Sequence, residues 1–311
     1  MSAAIELDNV VATYRNGLFG GGSKIQALNG ISLELRSGEV FAFLGPNGAG
    51  KTTTINILMG FLFPDSGTVR VMGYPPGDVR AKRQIGFLPE NFAFYGYLTG
   101  EQLLRFHIRL AGPQKLPGDA VIPEMLAKVK LDGYPGLKIG KFSRGMVQRI
   151  GLAQALMHDP QLIILDEPTS GLDPVGRKEV RELILSLKAQ GKTVFLSSHI
   201  LSEVEQVCDR IAIVEKGSLK QMGAVKDLLN QASLIEIVVD QLPPELETDL
   251  IAQSATVTRL ENCVKLTIPS EQKREVLERL WTAGCDLISL NSRKSSLEDL
   301  FLQLVGEGHP E

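Results

Sequence analysis

Two short polar segments, each placed directly after an apolar run, carry the residue types that phosphate chemistry needs. The first is Gly45-Pro46-Asn47-Gly48-Ala49-Gly50-Lys51-Thr52, with Thr53 behind it. Glycines let backbone N–H groups curl round an anion, and a helix start behind them adds unpaired donors and a favourable dipole. In this pattern Lys51 holds the β and γ phosphates of a nucleoside triphosphate and Thr52 ligates Mg²⁺. The second is Asp166-Glu167, closing Leu162-Ile163-Ile164-Leu165 and cut off by Pro168, which cannot continue a ladder. At a strand's carboxyl end, Asp166 is placed to hold Mg²⁺ through water and Glu167 to orient or deprotonate an attacking water. Taken alone, an Asp-Glu-Pro turn also serves as a plain helix entry. His199 is the third candidate, because phosphoryl transfer needs charge stabilisation and in-line positioning more than covalent chemistry.

These residues need strands to present them. The runs Val40-Phe41-Ala42-Phe43-Leu44 and Leu162 to Leu165 are apolar without alternation, as expected of strands buried on both faces. Ile55, Leu58, Met59 and Leu62 have helical spacing, so the first motif reads strand, Gly-rich loop, helix. Lys192 to Ser198 reads as another strand, with His199 at its carboxyl end and a helix from Ile200 to Cys208. Asp173 and Pro174 make an ordinary helix start for the stripe Val180, Leu183, Ile184, Leu187, closed by Gly191.

The order and spacing of these segments, joined by Glu90 and by Phe142-Ser143-Arg144-Gly145-Met146-Val147-Gln148-Arg149, resemble the ATP-binding subunit of an ABC transporter. The resemblance is specific over residues 1 to about 230 and loose beyond. It implies an α/β P-loop cassette with a helical subdomain at about 91–160, binding ATP and Mg²⁺. In the family, a Leu-Ser-Gly-Gly-Gln stretch starts a helix whose N-terminus faces ATP held by the other subunit. Here Ser143 and Gly145 keep that pattern; Arg144 and Met146 depart from it. Arg144 either adds positive charge to the composite site or is simply solvated. Asp173 resembles the residue of the loop along the dimer seam, His199 the γ-phosphate histidine, and Tyr14 the aromatic that stacks on adenine, although Gly17 to Gly22 lengthen the interval before the Gly-rich loop. Tyr14 as a plain strand residue is the alternative. Glu90 stands where most relatives have glutamine beside the metal; an ionised glutamate only accepts hydrogen bonds.

The resemblance also implies a head-to-tail homodimer, or a heterodimer with a related ATPase, that drives an integral-membrane permease from the cytoplasmic face, with export favoured over uptake. The aromatic stretch Asn91 to Leu98, followed by the capping box Thr99 to Gln102 and the stripe Leu103, Leu104, His107, Ile108, is either buried in the helical subdomain or forms the groove for the permease. A soluble ABC-type ATPase acting on ribosomes or DNA is the competing class, but the chain has neither two cassettes nor a long coiled-coil insertion.

Composition agrees. A net charge of −3 and a pI near 5.9 leave no basic footprint, which argues against nucleic acid as the partner. No apolar run approaches the ~18 residues of a membrane span, and no signal peptide opens the chain. Cys208, Cys263 and Cys285 form no paired motif, so free thiols are expected; His107, His158 and His309 have no metal-ligand spacing. Residues 231–311 hold no catalytic motif. Their pattern, strand Leu234 to Asp240, helix Leu246 to Ala252, strands Thr256 to Leu260 and Cys263 to Ile268, helix Glu271 to Ala283, strand Leu287 to Asn291, suggests a ferredoxin-like α+β accessory domain. A last helix, Ser296 to Val305, carries Leu297, Leu300, Phe301 and Leu304 on one face; the stripe either packs on the domain or serves dimerisation or regulation.

Overall fold

In the computed structural model, residues 3–15, 24–111, 118–231, 234–253, 255–260, 263–293 and 296–305 are described. Gly17 to Gly22 and His309 lie outside them. The chain forms two compact units, Met1–Gly223 and Ala224–Glu311. The second unit thus starts before residue 231, and the helix Val225–Gln231 belongs to it.

The unalternating apolar runs form the centre of a six-stranded sheet in the order Ile85–Leu88, Leu162–Asp166, Thr193–Ser198, Val40–Leu44, Arg210–Glu215, Ser218–Ala224. The first five are parallel neighbours. Register fixes the site: Leu44 lies opposite Ser198, and Asp166 opposite Ser197. Gly45, Glu167 and His199 therefore leave the sheet at one edge, the carboxyl edge where open α/β sheets bind ligands. The last two strands join through Lys216 and Gly217, both at positive φ (48° and 75°), the backbone of a two-residue hairpin turn.

An antiparallel sheet of Lys24–Arg36, Ala3–Arg15 and Ser66–Val71 shares its core with the parallel sheet. Ile5, Leu28 and Ile31 pack in one cluster with Phe41, Phe43, Ile55 and Phe195. Phe195 stacks on Phe41 at 6.1 Å and tilts against Phe43 at 5.9 Å, contacts worth about 0.5–1.5 kcal/mol each beyond area burial. This core anchors the helix Lys51–Leu58 behind the Gly-rich loop.

The helices Gly100–Ala111, Val121–Lys128 and Arg144–Leu156 pack on one another through buried Leu103, Leu104, Met125, Leu126 and Ile150. The expected capping box is present: Thr99 N donates to Gln102 Oε1 (2.9 Å) and Gln102 N to Thr99 Oγ1 (3.2 Å). The aromatic stretch before it is not simply core. Phe92 and Phe94 are half-buried and in contact, whereas Tyr95, Tyr97 and Phe106 cluster at the surface.

The second unit has strands Leu234–Val239, Thr256–Arg259, Val264–Pro269 and Leu287–Arg293, with helices Pro244–Ala252 and Lys273–Thr282 between them. Every strand pair is antiparallel, and the first and third strands are central, which is the ferredoxin-like arrangement. Its core holds Ile237, Leu250, Leu266, Ile268, Val276 and Leu280. On the final helix, Leu297–Val305, Leu297 and Leu300 are buried, so the chain itself covers part of that stripe. The three cysteines are free, Cys208 and Cys285 buried.

Candidate functional site

The loop after Val40–Leu44 turns closely enough that only glycine fits at two of its positions. A Cβ on Gly45 would lie 2.4 Å from the Val214 carbonyl oxygen, and one on Gly50, at φ 102°, 2.6 Å from that of Ala27. Gly50 caps the helix Lys51–Leu58 without a side-chain bond of its own. The Lys51 ammonium, nearly buried, donates to the carbonyls of Gly45 (2.7 Å) and Pro46 (3.3 Å) and lies 3.8 Å from Glu167 Oε1. Glu167 is the convergence point. Its other carboxylate oxygen accepts from His199 Nδ1 at 2.7 Å, which fixes the imidazole tautomer with the proton on that nitrogen. Glu167 stands at φ 49°, a left-handed backbone uncommon outside glycine and of the kind found where surrounding structure over-determines a functional residue.

Asp166 is buried beneath it. Ser197 Oγ donates to Asp166 Oδ1 (2.6 Å) and accepts from Glu167 N (3.0 Å), so one hydroxyl holds both acidic residues. Burial pushes the Asp166 carboxyl above its usual range; the Ser197 bond opposes this, Glu90's charge adds to it, and Lys51 and the Thr52 hydroxyl offset part. Thr52, Glu90 and Asp166 face the same cavity as an all-oxygen set, the donor chemistry a hard divalent cation prefers.

A cavity of about 650 Å³ opens over these groups. Tyr14, Pro46, Asn47, Gly48, Gly50, Lys51, Thr52, Thr53, Glu90, Asp166, Glu167 and His199, all expected from sequence, line it. Its volume falls within the range of pockets that take small molecules and cofactors. Tyr14 reaches Thr53, with its hydroxyl 3.3 Å from Thr53 Oγ1, and the residue is about 40% exposed at the pocket wall. Gly45 and Ala49 shape the loop without lining the cavity.

Ser143, Gly145 and Asp173 do not line this cavity. Ser143 caps the helix Arg144–Leu156, accepting from Met146 N at 3.2 Å, and Asp173 caps Pro174–Ala189, accepting from Gly176 N at 2.8 Å. Arg144 folds over the next loop: a Cβ on Gly171 would fall 2.1 Å from its Cζ. The helix after His199 spans Leu201–Val207, a residue shorter at each end than the sequence suggests: Ile200 is non-helical and its N–H donates to Ser198 Oγ (3.0 Å), and Cys208 is extended.

Two contributions escaped the sequence reading. Ser197 carries a weak signal, as a hydroxyl at the end of an apolar strand. Ile25, Gln26 and Ala27 line the cavity from the strand Lys24–Arg36, and nothing in their types announces it.

The ABC transporter family profile matches residues 28–170. An uncharacterized ABC transporter ATP-binding protein of Nostoc sp. is 41% identical over 297 residues, covering 94% of this chain and 87% of that protein. The chain belongs to the ABC transporter ATP-binding proteins. The Nod factor export ATP-binding protein I of Burkholderia orbicola is 33% identical over 98% of this chain and 97% of that protein. Among solved structures, a dimeric ATP-binding cassette in a post-hydrolysis state with ADP and phosphate is 25% identical, covering 71% of this chain and 98% of that one at a TM-score of 0.64. The protein is thus an ATP-binding, ATP-hydrolysing subunit of an ABC transporter. These relatives give no support to a soluble ATPase acting on ribosomes or DNA. Among the described residues no helix of this ABC protein is long and apolar enough to cross a membrane.

Proposed function

We propose that this chain powers a separate integral-membrane permease for export, working as a head-to-tail dimer on the cytoplasmic face of the membrane. The observation that carries the reading is the Glu167 carboxylate held between Lys51 (3.8 Å) and His199 (2.7 Å) over the Gly-rich loop. In this reading the loop amides and Lys51 bind the β and γ phosphates, and Tyr14 stacks on the adenine. Glu167 orients the attacking water and takes its proton as the oxygen bonds to the γ phosphorus and the bond to the β-phosphate oxygen breaks. His199 keeps Glu167 aimed and faces the γ phosphate. Thr52, Asp166 and Glu90 would hold Mg²⁺, which when bound neutralises charge on the β and γ oxygens.

Ser143, Gly145 and Asp173 lie apart from their own chain's cavity, which supports their service to the nucleotide of a second copy or of a related ATPase. The helix behind Ser143 adds unpaired N–H groups and a dipole that favours the anion. Export is supported by the named export relative, and the permease by the exposed Tyr95, Tyr97 and Phe106 cluster. Glu167→Gln is the test. It keeps ATP affinity, loses about 100-fold or more in turnover, and accumulates as an ATP-bound dimer in size-exclusion chromatography; normal turnover would sink the assignment.

A further inference from the structure

The helix that Ser143 caps is bound to the segment following Glu167 of its own chain at two separate places. One is buried: Gln148 Nε2 donates to the Pro168 carbonyl at 2.8 Å. The other is ionic and centres on Glu179, on the helix Pro174–Ala189. Its two carboxylate oxygens take different cations, Oε1 meeting Lys130 Nζ at 3.3 Å and Oε2 meeting Arg149 Nη1 at 3.5 Å. Both cations come from the helical bundle: Lys130 follows Val121–Lys128, and Arg149 is on Arg144–Leu156.

Arg149 has further bonds besides this ion pair. Its Nη1 donates to the Lys130 carbonyl (3.3 Å) and its Nε to the Gly145 carbonyl (3.4 Å) in the first turn behind Ser143. Lys130 itself stands at φ 56°, so backbone and side chain at one strained position both face this cluster. A chain of contacts thus runs from Glu179 through Arg149 to the turn that presents Ser143. Glu179 and Arg149 are both about 21% exposed, between a solvated surface pair and a desolvated one, where a network of charges counts for more than an isolated bridge.

We infer that Glu179 is a positioning residue for ATP-driven dimer closure: through Arg149 and Lys130 it sets the helix carrying Ser143 against the loop Glu167–Asp173, and so sets the face offered to the second copy's triphosphate. The inference rests on the head-to-tail reading. Glu179 touches neither substrate nor the reacting atoms. Its effect appears in closure, while ATP affinity of the separate chain stays with Lys51 and the Gly-rich loop.

The experiment uses the full chain carrying Glu167→Gln, with and without Glu179→Gln, Arg149→Gln and both. Dimer formation is followed against MgATP and protein concentration by analytical ultracentrifugation, and ATP affinity by titration of dilute chain. Glu179→Gln should raise the protein concentration needed for closure about three- to tenfold, leave ATP affinity within about twofold, and add little when Arg149 is already replaced, since neighbours in one network are non-additive. Hydrogen exchange of the unliganded chain supplies a readout that needs no dimer. Amides 143–149 should exchange faster in Glu179→Gln, with Lys51–Leu58 unchanged. Equal closure in both backgrounds, or additive losses, overturns the inference. If the Glu167→Gln parent gives no ATP-dependent dimer, the head-to-tail reading fails and the inference about closure with it; unchanged exchange at 143–149 removes the positioning role whatever the dimer does.

Discussion

Replacing His199 by alanine removes the hydrogen bond that its ring makes to Glu167. In the structure Nδ1 donates to Glu167 Oε2 at 2.7 Å, and the imidazole is about 56% exposed while Glu167 is nearly buried. Removing a hydrogen bond to a charged group costs about 1.5–3 kcal/mol, which at about 1.36 kcal/mol per decade of rate is roughly 10- to 150-fold. Glu167 retains Lys51 at 3.8 Å and its own N–H bond to Ser197, so the carboxylate is loosened rather than freed. The lower part of that range, about 10- to 50-fold in kcat, is therefore expected. ATP affinity changes little, because the loop and Lys51 are untouched. Fold stability changes by less than about 0.5 kcal/mol, as for an ordinary surface substitution, or about 1–2 °C in Tm. Phosphate release at saturating MgATP, nucleotide titration and a thermal melt read the three quantities separately. A kcat within twofold of the parent would refute the claim that His199 aims Glu167, and loss of ATP affinity matching the loss of rate would make it a binding group instead.

Asp166→Asn should raise the Tm of the nucleotide-free chain at neutral pH while abolishing hydrolysis. Asp166's pKa is raised in the fold, chiefly by burial, so the folded state favours the protonated acid and stability falls as pH rises through that raised pKa. The variant's advantage is therefore present at pH 7 and fades toward about pH 4, where the unfolded acid also takes its proton; equal melting temperatures at pH 7 would contradict this. Glu90→Gln removes a like charge that raises Asp166. It should retain ATP binding and change the ATPase rate of the complex purified with its membrane subunit; an unchanged stimulated rate would count against a coupling role.

Much of the site was legible because its chemistry lies in residue type and local order. A Gly-rich loop between an apolar strand and a helix, and two acids at the end of another apolar strand, each specify their backbone setting within a few residues. The reciprocal Thr99–Gln102 bonds and the Asp173 cap follow the same logic, since caps and turns are local. Ser197 was harder. Its hydroxyl holds Asp166 and the Glu167 amide only because Thr193–Ser198 lies beside Leu162–Asp166 in register, a pairing across about thirty residues. Ala27 was not legible at all, because Gly50 meets its carbonyl through the backbone, which any residue type provides.

The sequence by itself determined the reaction class and most of the groups that serve it, since phosphate binding and water activation demand particular side chains at particular strand and helix ends. It also determined the βαββαβ order of the second unit, through the alternation of its strands. Only the tertiary structure decided which groups share a cavity. Parallel register brought Gly45, Glu167 and His199 to one edge, while the helix packing left Ser143, Gly145 and Asp173 outside it. It alone revealed Glu179 bridging Lys130 and Arg149, because an exposed-looking glutamate acquires meaning only from the cations that packing sets against it.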